Sequence, residues 1–198
     1  MTKFLLIRHA LTDAVGNRLS GRTPGLSLSD EGRKQSRDLA SRLSQFTISA
    51  IYSSPLERAL ETAAPLAEIT GLQVRPDNDF LEIDFGSWTN LSFEELKSEA
   101  IFQRFNSFRS CTRIPGGELM AEAQTRIIRG IEKLTAIHRK ETVAVISHAD
   151  LIKSAIAFYT GIHLDIFHRV EISPASVSII EIFDDTARIL LVNGAGSL

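Results

Sequence analysis

Two histidines in this chain stand directly behind short apolar runs. Phe4-Leu5-Leu6-Ile7 leads into Arg8-His9, and Thr142-Val143-Ala144-Val145-Ile146-Ser147 leads into His148. Each run is short, unbroken and suited to a strand buried on both faces of a parallel sheet. Ligands of open α/β sheets bind at the carboxyl ends of the strands. Two imidazoles and a guanidinium at two such ends would share one crevice, and together they are chemistry for phosphate.

Arg58 supplies a third element. The triplet Ser53-Ser54-Pro55 reads as an N-cap followed by proline at the first helical position, which predicts a helix starting at Pro55. Helical side chains lean toward the amino terminus, so Arg58 would project toward the end of the preceding strand. Helix amino termini favour anions, and a guanidinium adds a bidentate clamp. A surface arginine paired with Glu57 or Glu61 is the plain alternative.

Proton transfer would also need a carboxylate. Glu82 lies in the irregular stretch Leu81-Glu82-Ile83-Asp84-Phe85-Gly86, among apolar neighbours whose burial would raise its pKa. Asp79 and Asp84 compete with it, and composition alone does not separate the three.

The elements that must hold these groups alternate. Residues 10–28 form a loop rich in Gly, Ser, Thr and Asn. Ser29 reads as an N-cap, with Asp30 and Glu31 in the first turn and Leu39, Leu43 and Phe46 as the apolar stripe. Residues 48–52 and 72–75 read as strands, with a helix between them that Gly71 stops. Phe93, Leu96, Ala100, Phe105 and Phe108 suggest one or two amphipathic helices, broken at Pro115-Gly116-Gly117. A long helix carries Met120, Ala123, Ile127, Ile131 and Leu134. After the strand at 142–147, residues 149–159 form a helix ended by Gly161. Residues 176–183 and 188–192 then form a hairpin at one side of the sheet. The predicted fold class is α/β, a three-layer α/β/α sandwich with a mostly parallel central sheet.

Composition narrows the remaining possibilities. A chain of 198 residues suits one well-buried domain. Its formal net charge of -2 gives no reason to expect nucleic acid or an anionic membrane as partner. The single cysteine, Cys111, cannot form an internal disulfide. No apolar stretch approaches the roughly 20 residues of a membrane helix, and the first apolar run is too short for a signal-peptide core. A cytoplasmic location is expected. His138, His163 and His168 lack ligand-like spacing, so no metal is expected.

Taken together, Leu6-Ile7-Arg8-His9, residues 53–59 with Thr62-Ala63, residues 82–86, Gly116-Gly117-Glu118 and Ser147-His148 resemble the histidine phosphatase superfamily, the phosphoglycerate-mutase-like family, through nearly the whole chain. The resemblance implies a single domain over 1–198 with a cap-like segment inserted around 85–118. It implies His9 as nucleophile, forming a phosphohistidine. Arg8, Arg58 and His148 would hold the phosphoryl oxygens, and Glu82 would be the general acid and base, with no cofactor. Ser20, Gly21 and Arg22 lie where family members touch substrate, and Arg22 would reach its distal part unless it is a solvated loop arginine.

Two positions depart from the family pattern, Ala10 and Ala149, where glycine usually follows each histidine. A positive φ there would strain alanine. Phe93, Phe102, Phe105 and Phe108, interleaved with Arg104, Arg109 and Arg113, would cap the pocket or fill the core, and helical spacing favours core. The expected function is a metal-independent phosphatase of a small phosphorylated metabolite, with a homodimer left open. Ala149, beside His148, would contact substrate. A phosphoglycerate mutase is the rival, though mutases of this family usually have a longer chain. A catalytically silent phosphate-binding protein is a third reading.

Overall fold

The computed structural model describes residues 1–196. Its core is a six-stranded sheet in the order β3-β2-β4-β1-β5-β6. The strands are β1 (Thr2–Arg8), β2 (Ile48–Ser53), β3 (Val74–Pro76), β4 (Thr142–Ser147), β5 (Val177–Ile182) and β6 (Ala187–Gly194). The first four run parallel, while β5 pairs antiparallel with β1 and with β6. The fold is the expected α/β sandwich with a mostly parallel sheet.

Strand side chains alternate between two cores. Leu5, Ile7, Ile51, Ala144 and Ile146 face α1 (Asp30–Leu43) and α2 (Glu57–Thr70). Phe4, Leu6, Tyr52, Val143 and Val145 belong to the opposite core. There they meet α5 (Met120–Ile137) and α6 (Ala149–Thr160). Covering both faces explains why β1 and β4 read as unbroken apolar runs. At the edge, β6 alternates half-buried and exposed residues, as an antiparallel strand with one solvated side does.

Several local signals act as read. Ser29 caps α1, its Oγ accepting from Gly32 N at 3.1 Å. Gly71 and Gly161 end α2 and α6 in the left-handed region, at φ 71° and 72°. The expected stripe of α5 is buried throughout. The aromatic stretch forms two helices, α3 (Phe93–Lys97) and α4 (Ala100–Ser107).

One boundary is corrected. Helix α2 begins at Glu57 rather than Pro55, and the position before it, Leu56, offers no side-chain cap. The expected capping hydroxyl, Ser54 Oγ, accepts a long bond from Leu56 N at 3.4 Å and lies 2.9 Å from His148 Nε2. A buried imidazole shares the hydroxyl that the helix terminus uses.

Candidate active site

Strands β1 and β4 are neighbours in parallel register, with Arg8 opposite Ser147. His9 and His148 are therefore side by side, one residue past each strand. The His9 backbone N–H donates to the Ser147 carbonyl at 2.9 Å, and the ring centroids are 5.2 Å apart. His148 stands at the amino end of α6, and His9 opens the loop that leads to α1.

The hydrogen bonds of His9 determine its tautomer. Its Nδ1 lies 2.7 Å from the Ala10 carbonyl, which can only accept. The proton is therefore on Nδ1, and Nε2 keeps its lone pair. Burial, then the charges of Arg58 and Arg8, push the His9 pKa down to about 3, so the imidazole is neutral. The next backbone N–H, of Ala10, donates to Thr62 Oγ1 at 2.9 Å, and the Thr62 hydroxyl donates to the Arg58 carbonyl at 2.7 Å. Thr62 thus ties the loop that follows His9 to α2.

Arg58 is 2% exposed. Its Nη2 donates to the Gly21 carbonyl at 2.7 Å and lies 3.4 Å from His148 Nδ1, while its Nη1 has no partner. Arg8 Nη1 donates to the Ile172 carbonyl at 2.6 Å, and Arg8 Nε is buried without a partner. Burial lowers the pKa of both guanidiniums, a sign of how poorly water screens them. His148 is fully buried, and desolvation followed by the Arg58 charge drives its pKa well below the usual value.

Among the three candidate carboxylates the structure selects Glu82. Its Oε2 lies 3.6 Å from His148 Nδ1, and its Oε1 accepts from Ile83 N at 2.9 Å. Only 14% of its side chain is exposed. Burial, with a smaller push from the Asp150 charge, raises its pKa to about 7. Asp79 pairs with Arg129 and lies 3.7 Å from Lys133. Asp84 accepts from Gly86 N at 3.0 Å, and neither aspartate lines the cavity.

No regular element holds Glu82. Arg126 donates to the Leu81 carbonyl at 2.8 Å and to that of Glu82 at 3.3 Å. Glu118 binds Arg126 at 3.1 Å and accepts from Asp84 N at 2.9 Å. Gly117 packs so closely that a Cβ there would lie 2.2 Å from the Asp84 carbonyl oxygen. Arg22 completes this clamp, which corrects the expectation that it reaches substrate. It donates to the Glu82 carbonyl at 2.8 Å and pairs with Glu118 at 2.9 Å. Having spent its guanidinium on protein partners, it is absent from the cavity wall.

The cavity itself has a volume of about 320 Å³. Arg8, His9, Arg58, Glu82, Ser20, Gly21 and Ala149 line it as expected, with His148 behind them. Phe93, Phe102 and Phe105 line its wall, and Phe105 is also core at 2% exposure, so the capping and core readings both apply. Phe108 is exposed. His168 and Arg169, exposed on a 3₁₀ turn, do not line it. Neither Ala10 nor Ala149 has a positive φ, so alanine introduces no backbone strain at either site.

Sequence reasoning missed four contributors. In the sequence Ser54 reads as a helix cap, and Thr62 stands out only as part of a motif. Asp150 and Lys153 line the cavity from the first turns of α6, two and five residues after His148, a spacing that could have exposed them. Among the described residues, no group of three or more His, Cys, Asp or Glu side chains converges as metal ligands would. Nor is any described helix long and apolar enough to cross a membrane.

Several known proteins are similar to this chain. Over its full length the chain is 34% identical to the bifunctional protein Rv2228c of Mycobacterium tuberculosis, and it spans 55% of that relative's length. It is 33% identical to phosphoserine phosphatase 1 of Hydrogenobacter thermophilus, covering 98% of this chain and 92% of that one. A phosphoserine phosphatase mutant of Entamoeba histolytica, solved with phosphoserine, superposes with a TM-score of 0.89 at 25% identity over 100% of both chains. Residues 4–194 match the histidine phosphatase superfamily (branch 1), and the chain belongs to that family.

Proposed function

We propose that this protein is a phosphatase that hydrolyses a small phosphomonoester through a phosphohistidine at His9. One observation carries the reading. Arg8 and Arg58 bury cationic N–H groups that find no protein acceptor, beside a neutral imidazole whose Nε2 is free. Unpaired buried charge is costly, so such a site is built for an anion that supplies the missing acceptors.

In the first step His9 Nε2 attacks phosphorus, and the bond to the leaving oxygen breaks. Arg8, Arg58 and His148 hold the phosphoryl oxygens as charge redistributes. Glu82, kept protonated near neutral pH, gives its proton to the departing alkoxide. In the second step the Glu82 carboxylate takes a proton from water, which attacks phosphorus and releases phosphate and neutral His9. Residues 85–118 would serve as a cap that limits which alcohols enter. The names of the relatives support hydrolysis, since two of them are phosphoserine phosphatases.

The test is trapping. Glu82→Gln incubated with ³²P-labelled phosphomonoester should accumulate an acid-labile, alkali-stable label that His9→Ala never acquires. Turnover by His9→Ala at the wild-type rate would overturn the mechanism. Isomerisation of 3-phosphoglycerate faster than phosphate release would overturn the hydrolase assignment.

A further inference from the structure

We infer that Lys153 is the receptor for a carboxylate at the far end of the substrate, so that the site takes phosphomonoesters of short hydroxy acids; this rests on the phosphatase reading of the same cavity. Lys153 is on α6, four residues after Ala149, so both fall on one face of the helix and both line the cavity. It stands five residues beyond His148, about 7 Å along the helix axis. Its side chain leans back toward the amino end, over the space next to the phosphate clamp.

The charges around Lys153 are not balanced by the protein. Its side chain is only 13% exposed, yet its ammonium lies 4.0 Å from Asp150 Oδ1, beyond hydrogen-bond reach. Asp150 is committed elsewhere, since Arg109 Nη1 donates to its Oδ2 at 3.1 Å. Arg109 is fixed in turn: Nη2 donates to Asn106 Oδ1 at 2.8 Å, and the guanidinium lies over Phe105 and Phe167, 4.7 and 5.0 Å from the ring centroids. Arg109 and Asp150 neutralise each other, which leaves Lys153 as the surplus cation that α6 contributes; Arg18, exposed on the loop after His9, also lines the cavity. A half-buried ammonium without a hydrogen-bond acceptor selects an anion.

The sign of the charge excludes the opposite specificity. Asp150 is the acidic side chain of this outer wall, and with two cations beside it an ammonium group of a substrate would gain little there. Glu82, the other carboxylate lining the cavity, stands at the phosphate end. A neutral sugar would leave Lys153 unpaired. The phenylalanine wall and the volume of about 320 Å³ suit a short carbon chain between the two anionic groups.

A matched pair of substrates tests the assignment. 3-Phosphoglycerate and sn-glycerol 3-phosphate differ only in carrying a carboxylate or a hydroxymethyl at the distal carbon. Wild-type kcat/KM should favour the acid by at least about tenfold, the worth of one charge-assisted hydrogen bond. Lys153→Met, which keeps the stem, should collapse that ratio toward one through KM, and Lys153→Arg should restore most of it. A wild-type ratio near one, or a ratio unchanged in Lys153→Met, overturns the proposal. Calorimetric binding of the same two compounds to His9→Ala reads the preference without turnover. If wild type hydrolyses neither compound nor p-nitrophenyl phosphate, the phosphatase reading fails, while the binding ratio still decides the carboxylate site.

Discussion

This molecule buries a histidine beside a glutamate in two places, and the two sites are finished differently. At the carboxyl end of α5, His138 has a partner for each ring nitrogen: Glu141 Oε2 is 2.6 Å from Nδ1, and the Tyr52 hydroxyl is 3.0 Å from Nε2. Arg75 donates to that hydroxyl at 3.2 Å, and the His138 carbonyl accepts from Thr2 Oγ1 at 2.9 Å. At the strand ends, His148 meets Ser54 and Glu82, but Arg8 Nε, Thr12 Oγ1 and Arg58 Nη1 are buried with no partner. The first network is closed and the second is open. Residue types alone do not separate a structural histidine from a chemical one; the unsatisfied donors around it do.

The comparison is tested hardest by removing the proposed nucleophile. His9→Ala should lower kcat by about 10⁴-fold or more, as loss of a covalent nucleophile does elsewhere. Its thermal midpoint should stay within a few degrees of wild type. A fall in stability large enough to account for the lost activity would mean that His9 is structural like His138.

Arg58 separates function from stability more sharply. Arg58→Met should cut kcat/KM by about 10³-fold, because the proposed buried phosphate clamp is lost. Replacing an incompletely paired buried charge with an apolar side chain of similar length should also leave the fold equally stable or raise its midpoint. Inorganic phosphate should stabilise wild type in thermal melts and have less effect on Arg58→Met. Equal stabilisation of both would break the claim that the open network is an anion site.

The sequence exposed these two regions unequally. Arg8, His9 and His148 were legible because each ends an apolar run, and strand ends in a parallel sheet share one crevice by topology. Arg58 was legible through helix geometry, although its helix begins two residues later than Ser54-Pro55 suggested. Glu82 could not be separated from Asp79 and Asp84, since its place is set by Arg22 and Arg126 donating to backbone carbonyls and by Glu118 accepting from the Asp84 N–H, all from distant parts of the chain. Such side-chain to backbone contacts leave no periodicity to read. Arg22 was misread for the same reason: a loop arginine beside a pocket can face the ligand or the wall, and only tertiary contacts decide.

Glu82 gives the next smaller effect and a pH signature. Its protonated form is needed for a poor leaving group, and its pKa is raised to about 7, mainly by burial. The rate with an alkyl phosphate should hold below pH 7 and fall above it as the proton is lost. His9 adds no limb between pH 4 and 7, because its pKa of about 3 keeps it neutral there. Glu82→Gln should lose about 10²-fold or more with an alkyl phosphate, less with an aryl phosphate that leaves unaided. Linkage sets a second sign. The folded protein holds this proton above the unfolded carboxyl pKa, so the Glu82 contribution to stability is greatest in acid. It declines as pH rises through about 7. A pH profile unchanged in Glu82→Gln would assign the acid elsewhere.

The smallest expected effect on activity comes from the closed network, and it bears most directly on the comparison. Tyr52→Phe removes one hydroxyl that serves both His138 Nε2 and Arg75, without opening a cavity. Leaving a buried ring nitrogen unsatisfied should cost about 1–2 kcal/mol, a fall of a few degrees in the midpoint for a chain of this size. Turnover should stay within about twofold, because the lost partner belongs to a network that only fastens α5 to the sheet. Yet Tyr52 is separated from Ser54 by a single residue, and Ser54 holds His148. If Tyr52→Phe lowers kcat tenfold while the fold survives, strand β2 transmits the change from one histidine to the other. The closed network would then be part of the catalytic machinery. Unchanged kcat with a lowered midpoint would show that β2 insulates the two sites, so that each histidine answers only to the partners it touches.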